Sequence, residues 1–95
     1  GLHINTRSIY STTSLNSNDD LVIIQQISVD VTITLPNCQD GKIIYIKNLS
    51  SRWYNIKGTI IDAPSRNSVS SFQVKDNCAR MFIKCSSGWL MFYCG

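Results

Sequence analysis

The sequence has few charged residues and no long apolar run. Only 16% of its 95 residues are charged, whereas 43% are hydrophobic, which is the composition of a globular chain and not of a disordered one. No stretch approaches the roughly 20 apolar residues of a membrane-spanning helix, so membrane insertion is not expected. A chain of this length buries one core, so we expect a single domain over 1–95, and its small core favours oligomerisation or a covalent staple.

The residues that enzymes use for catalysis are also scarce. His3 is the only histidine and lies near the N-terminus, far from any recognisable nucleophile or base. Asp19 and Asp20 are neighbours in a turn-forming segment, where capping and solvation account for them. There is no Gly-rich phosphate-binding loop and no C-x-x-C pair for a zinc site. We therefore expect no enzymatic activity, no cofactor and no metal.

Four cysteines, Cys38, Cys78, Cys85 and Cys94, leave two interpretations open. An even number of cysteines in a short chain is typical of a disulfide framework. Cys85 and Cys94 lie in adjacent strand-like runs and could face each other. Cysteine is also readily buried as a free thiol that packs like a small hydrophobic residue.

The basic residues are concentrated in the C-terminal half. Arg7 is the only one before Gly41, and the other eight follow it. A basic half favours anionic partners such as acidic glycans or nucleic acid. These eight residues are scattered along the sequence, as on an ordinary solvated surface, so a nucleic-acid partner is not expected.

Alternating apolar and polar residues predict strands throughout, and no segment has helical periodicity. In "VDVTITLP", Val29, Val31, Ile33 and Leu35 share one face of a half-buried strand that ends at Pro36. "GKIIYIKNL" and "GWLMFYC" are apolar on both faces, which predicts strands that lie between layers or between subunits.

Turn signals separate these strands. Asp40-Gly41 and Ser86-Ser87-Gly88 are typical of tight turns, and Gly58 is predicted to join two short strands as a hairpin. The polar stretch "APSRNSVSS" is predicted to be a loop. The pattern as a whole predicts an all-β fold, an antiparallel sandwich or jelly-roll-like domain of about eight short strands.

The order of several short motifs resembles the β-rich head and tip domains of viral and bacteriophage fibres. In those domains a strand ending in "TLP" precedes a "GK-x-x-x-IKN" strand, an "I-D-G"-like turn and a terminal "DG-x-W" hairpin. The resemblance runs from about Tyr10 to Tyr93. Its matching residues are Thr34-Leu35-Pro36, Gly41-Lys42, Ile46-Lys47-Asn48, Ile60-Ile61-Asp62 and Gly88-Trp89. The chain departs from the pattern in its four cysteines, in "RWYN" and in Ala63-Pro64.

The resemblance implies a non-enzymatic fibre head at the virion surface, in which three identical subunits lie side by side about the fibre axis. It also implies that Trp89 is a core residue. Such a head attaches to a glycan or protein receptor on the host cell. Two alternatives remain: a purely structural trimerisation or capping module of a fibre, and a secreted, disulfide-stapled, lectin-like domain.

Two polar segments, "SSRWYN" and "PSRNS", have side chains suited to binding a receptor. Arg52 and Arg66 carry forked donors that match carboxylates, and Trp53 or Tyr54 offers a flat apolar face for a sugar ring. These four residues are the predicted receptor-binding site. An alternative is that the aromatic residues fill the core and that the arginines are merely solvated.

Overall fold

A computed structural model of the chain describes residues 4–62, 67–75 and 77–94. These residues form nine strands and no helix, which confirms the all-β fold. The strands are β1 (Thr6–Ile9), β2 (Thr13–Ser14), β3 (Leu21–Ile24), β4 (Val31–Thr34), β5 (Ile43–Asn48), β6 (Tyr54–Asp62), β7 (Ser68–Val74), β8 (Ala79–Cys85) and β9 (Gly88–Cys94).

The pairing of the strands shows that the chain winds between two walls. β1, β3 and β5 stack in parallel to form the odd-strand wall, and β2, β4 and β6 stack in parallel to form the even-strand wall. Each turn of the chain adds one strand to each wall, as in a short β-solenoid. β8 and β9 then form an antiparallel hairpin, in which β8 pairs with β5 and β9 pairs with β6. This hairpin joins the two walls into one nearly barrel-like sheet.

The pairing differs from the antiparallel sandwich or jelly roll expected from the sequence. Among the described residues, only β5–β8, β6–β7 and β8–β9 are antiparallel, and the other five pairs are parallel. Period-two alternation indicates which side chains face the core but not which strand lies alongside, so it could not distinguish the two arrangements.

Two local predictions in this region were wrong. Gly58 does not join a hairpin, because β6 runs unbroken from Tyr54 to Asp62. Gly58 instead takes a φ of 141° where the register of β6 against β7 shifts between Lys57 and Ile60, a β-bulge that needs no reversal of the chain. The predicted polar loop over residues 63–71 is also partly wrong, since its last residues belong to β7 (Ser68–Val74), whereas residues 63–66 lie outside the described ranges. Pairing with β6 stabilises this segment despite its polar composition.

The core lies between the two walls and is almost entirely apolar. Val31, Ile33 and Leu35 are buried as predicted, whereas Val29 is 62% exposed because β4 begins only at Val31. Trp89 is buried, which agrees with the core role implied by the resemblance. Register places buried residues of successive turns above one another. The largest fully buried side chains are Tyr54, Phe82, Ile24, Ile33, Ile44, Ile46, Ile56, Ile60 and Met91.

The acidic pair before β3 stabilises the start of the odd-strand wall. The Asp19 carboxylate is buried and accepts hydrogen bonds from Arg7 Nη1 at 2.9 Å and from the backbone N–H of Asn16 at 2.8 Å. Asp20 forms an ion pair with Lys42. Hydrogen bonds from Lys42 and from the backbone of Asn5 hold the pKa of Asp20 below its ordinary value. Both carboxylates therefore have structural roles.

The cysteines do not form the bridge that the sequence suggested. In the β8–β9 hairpin Cys85 pairs with Gly88 and Cys94 pairs with Ala79. The two cysteines thus lie at opposite ends of the hairpin, about 20 Å apart at ~3.4 Å per residue, whereas a disulfide requires Cα atoms within about 7 Å. Cys38 and Cys85 are free thiols.

Candidate functional site

One end of the even-strand wall carries a cluster of exposed charged and aromatic side chains. Val31, Tyr54 and Val74 are register partners on β4, β6 and β7. The residues just outside these partners therefore meet at the same end of the wall. They are Asp30, Trp53 and Lys75, and together with Arg52 they form the candidate site.

An ion pair and a cation–π contact organise the site. Arg52 Nε lies 3.2 Å from Asp30 Oδ1, and the backbone N–H of Trp53 donates to the same oxygen at 3.3 Å. Lys75 Nζ lies 5.2 Å from the centroid of the Trp53 ring. Trp53 remains 45% exposed. Asp30, Ser51, Arg52 and Trp53 line an open depression of about 310 Å³.

Two buried polar residues fix the loop that presents Arg52 and Trp53. Asn48, the last residue of β5, donates from Nδ2 to the Arg52 carbonyl oxygen at 2.7 Å. Its Oδ1 accepts from the backbone N–H and the hydroxyl of Ser50 at 2.9 and 2.6 Å. The Ser50 Oγ in turn accepts from the backbone N–H of Arg52 at 3.1 Å. Asn48 and Ser50 are each 1% exposed, so these bonds replace water inside the fold.

Asn48 also begins the glycosylation triplet Asn48-Leu49-Ser50. Because its amide nitrogen is buried and donates to Arg52, it is not accessible for a glycan in the folded chain. The triplet is better explained as an Asx-type turn, in which the side chain of an Asn satisfies the backbone two residues later.

Replacing Asn48 with Ala is expected to lower the free energy of unfolding by about 1–3 kcal/mol. The substitution leaves the buried Ser50 hydroxyl and the Arg52 carbonyl oxygen without their present partner, and desolvated polar groups of this kind cost that much. Urea denaturation followed by tryptophan fluorescence measures the change. Asn37→Ala is the control, because Asn37 is exposed and makes no side-chain hydrogen bond within the described part of the chain. Equal stability of the two variants would contradict the role assigned to Asn48.

The four predicted receptor-binding residues do not all lie at one site in the structure. Arg52 and Trp53 lie together at the surface. Tyr54 must be removed from the predicted site, because it begins β6 with its side chain turned into the core and is fully buried. Arg66 lies outside the described residues. Asp30 and Lys75 are absent from the prediction, because strand register brings them to Trp53 from positions 23 and 22 residues away along the chain.

The outward side of the odd-strand wall carries a second notable surface. Two rows of register partners run across β3, β5, β8, β9 and the end of β6, and they define the apolar face. The first row is Leu21, Tyr45, Met81 and Phe92, and the second is Ile43, Ile83, Leu90 and Ile61. Their sequence neighbours on these strands include fully buried core residues, which places these eight on the outer side. Ile43 and Tyr45 are each 39% exposed.

The outward side of the even-strand wall has a contrasting composition. The corresponding rows there are Thr32, Asn55 and Gln73, followed by Thr34, Lys57 and Ser71. These six residues define the polar face. All eight residues of the apolar face lack charge, whereas the polar face is what water-exposed strands ordinarily show. The two faces are therefore suited to different surroundings.

The described residues offer neither a metal-ligand cluster nor a membrane-spanning helix. In the described ranges no three His, Cys, Asp or Glu side chains come together as metal ligands would. No helix in that part of the chain is long and apolar enough to cross a bilayer.

Comparison with known proteins gives no family assignment. No protein-family model matches the chain, and no curated protein matches it.

Proposed function

We propose that the chain is a non-enzymatic head domain of a viral fibre, which assembles with copies of itself and attaches the virion to a receptor on the host cell. The apolar face is the observation that carries the proposal. Eight uncharged and largely apolar side chains adjoin one another on this face, and Ile43 and Tyr45 are each 39% exposed. Such a surface is typical of an interface that stays covered. Another copy of the chain carries the same apolar face, so copies of the chain can cover this face for one another without a different partner.

Assembly through the apolar face leaves the candidate site free. Arg52 and Trp53 lie on the even-strand wall, whose outward side is the polar face, and this wall would point away from the fibre axis. The motif order that resembles fibre heads favours three copies around that axis. A closed ring of three repeats one interface and presents three equivalent sites at the same height. Three weak sites that engage one cell surface bind far more tightly than one.

The proposal predicts both a mass and a binding activity. Light scattering of the purified chain is expected to give three times 10.7 kDa, and the labelled assembly is expected to bind host cells. Arg52→Ala and Trp53→Ala should each reduce cell binding at least about tenfold while the mass remains that of the trimer. A mass of one chain at all concentrations up to about 1 mM would contradict the assembly, and unchanged cell binding of both variants would contradict the attachment site.

A purely structural module of a fibre is the second candidate. It is favoured by the β8–β9 hairpin, which closes one end of the winding and joins the two walls, as a terminal cap of a solenoid does. An assembled trimer that binds no host cell would support this candidate over attachment. The secreted, disulfide-stapled alternative loses its main support, because Cys85 and Cys94 are too far apart to be bridged.

A further inference from the structure

The geometry points to a carboxylate-bearing sugar as the ligand of the candidate site, an inference that rests on the proposed attachment function and specifies its receptor. Three features of the site support this ligand. They are the two terminal nitrogens of the Arg52 guanidinium, the Lys75 ammonium beside the exposed Trp53 ring, and the size of the depression.

Arg52 is oriented so that its unused donors face a ligand. Its Nε is held by Asp30 at 3.2 Å, and Asp30 is itself fixed by the Trp53 backbone N–H. Within the described residues no partner contacts either terminal nitrogen of Arg52, whose side chain is 45% exposed. A guanidinium anchored at Nε keeps its two terminal NH2 groups, whose planar geometry matches a carboxylate. Asp30 therefore acts as a positioning residue for Arg52.

The charges and the ring around Arg52 select for an anion with an apolar side. Arg52 and Lys75 contribute two positive charges against the one negative charge of Asp30. The Lys75 ammonium is held by the Trp53 ring, 5.2 Å from its centroid, so the excess positive charge stays in the site. Because Trp53 is 45% exposed, part of the indole remains open to the C–H groups of a sugar ring, which pack on aromatic faces.

The shape of the site favours a sugar over an acidic peptide. The depression of about 310 Å³ is lined by four residues and lies at the lower end of the range for small-molecule sites. One or two sugar units would fill it. An acidic peptide would need a longer row of cations than the two found here.

The test is an NMR titration of the purified chain with three monosaccharides. N-acetylneuraminic acid and glucuronic acid, which carry a carboxylate, are expected to bind with dissociation constants of about 1 mM (roughly −4 kcal/mol) and to shift the indole N–H signal of Trp53. Galactose, which is neutral, is expected to bind at least about tenfold more weakly. Equal affinity for galactose, or no saturable binding of either acid, would overturn the inference.

Three variants assign the binding to the proposed atoms. Arg52→Lys keeps the charge but removes the fork, and should weaken binding of the acidic sugars at least about tenfold. Asp30→Asn removes the anchor of the guanidinium and should weaken it by a smaller factor, about threefold. Lys57→Ala removes an exposed cation of the polar face, four residues beyond Trp53 in the sequence, and should leave the affinity unchanged. If Lys57→Ala lost as much affinity for the acidic sugars as Arg52→Lys, net charge alone would explain the binding. If Arg52→Lys bound the acidic sugars as tightly as the parent, the role of the forked guanidinium donors would be rejected.

Two further measurements separate this inference from the proposed function. Light scattering of each variant reports assembly independently of sugar binding, so a monomer that binds acidic sugars would contradict the fibre-head proposal while preserving the site. An oligo-aspartate peptide serves as the competitor. If it displaces the sugars at lower concentration than they bind, the site recognises acidic protein and the inference is wrong.

Discussion

Replacing Met81 with Asp is expected to convert the proposed assembly into monomers, with a loss of at least about 100-fold in the association constant. Met81 lies in the first row of the apolar face, between its register partners Tyr45 and Phe92. A carboxylate at this position would lose its water inside the proposed interface, which costs several kcal/mol. A loss of about 2.8 kcal/mol already gives the 100-fold change.

The fold should survive this substitution, because the Met81 side chain points away from the core. Circular dichroism is expected to show the same strand content as the parent. Gln73→Asp is the matched control, since it introduces the same charge on the polar face, where the parent residue is exposed. Sedimentation equilibrium measures the association constants of all three proteins. The assignment of the apolar face fails if Met81→Asp keeps the parent mass, or if Gln73→Asp dissociates equally.

Replacing Gly88 with Ala is expected to lower the free energy of unfolding by about 3 kcal/mol or more. Gly88 begins β9 with a φ of 145°, a conformation that residues with a side chain rarely adopt. An added Cβ would lie 2.6 Å from the carbonyl oxygen of Thr59. That oxygen belongs to the backbone of β6, next to the pair formed by Ile60 and Trp89. It cannot retreat without separating β9 from β6, so the strain and the clash add.

Gly41→Ala separates these two contributions. Gly41 has a φ of 90°, but an added Cβ there meets no atom within 4 Å. The control should therefore show the conformational cost alone, about 1–2 kcal/mol. Guanidinium denaturation of both variants gives the comparison. Equal losses would mean that β6 and β9 do not approach each other closely at Gly88.

Much of the strand pattern could be predicted from the sequence, because side-chain alternation is a local property. The faces of β4 and β5 and the turn at Ser86-Ser87 followed from neighbouring residues alone, whereas the burial of Trp89 was expected only from the resemblance. The parallel winding could not be predicted in this way, since pairs such as Leu21 with Tyr45 depend on long-range register. The start of β7, residues 68–70, was assigned to the predicted loop for the same reason, because only its pairing with β6 makes a strand of this serine-rich segment.

The candidate site could likewise be predicted from the sequence only where it depends on neighbouring residues. Arg52 and Trp53 are adjacent in the sequence, and their chemistry is evident from residue type. Which of two neighbouring aromatic residues is exposed depends on the position at which β6 begins, and the structure buries Tyr54 and exposes Trp53. Asp30 and Lys75 come from other turns of the winding, and no local pattern relates them to Arg52.

The position of β9 between the two walls has a consequence for biosynthesis. β9 pairs with β8 on one side and with β6 on the other, yet it follows every other strand in chain order. A ribosome therefore releases both walls before it releases the strand that joins them. Until that moment the nascent chain holds β8 and the end of β6 with unpaired edges, and such edges are sites of aggregation. Translation that stalls before Gly88 would yield a fragment with unpaired strand edges, which is prone to aggregate. The synthesis of β9 is therefore itself a condition for a soluble product.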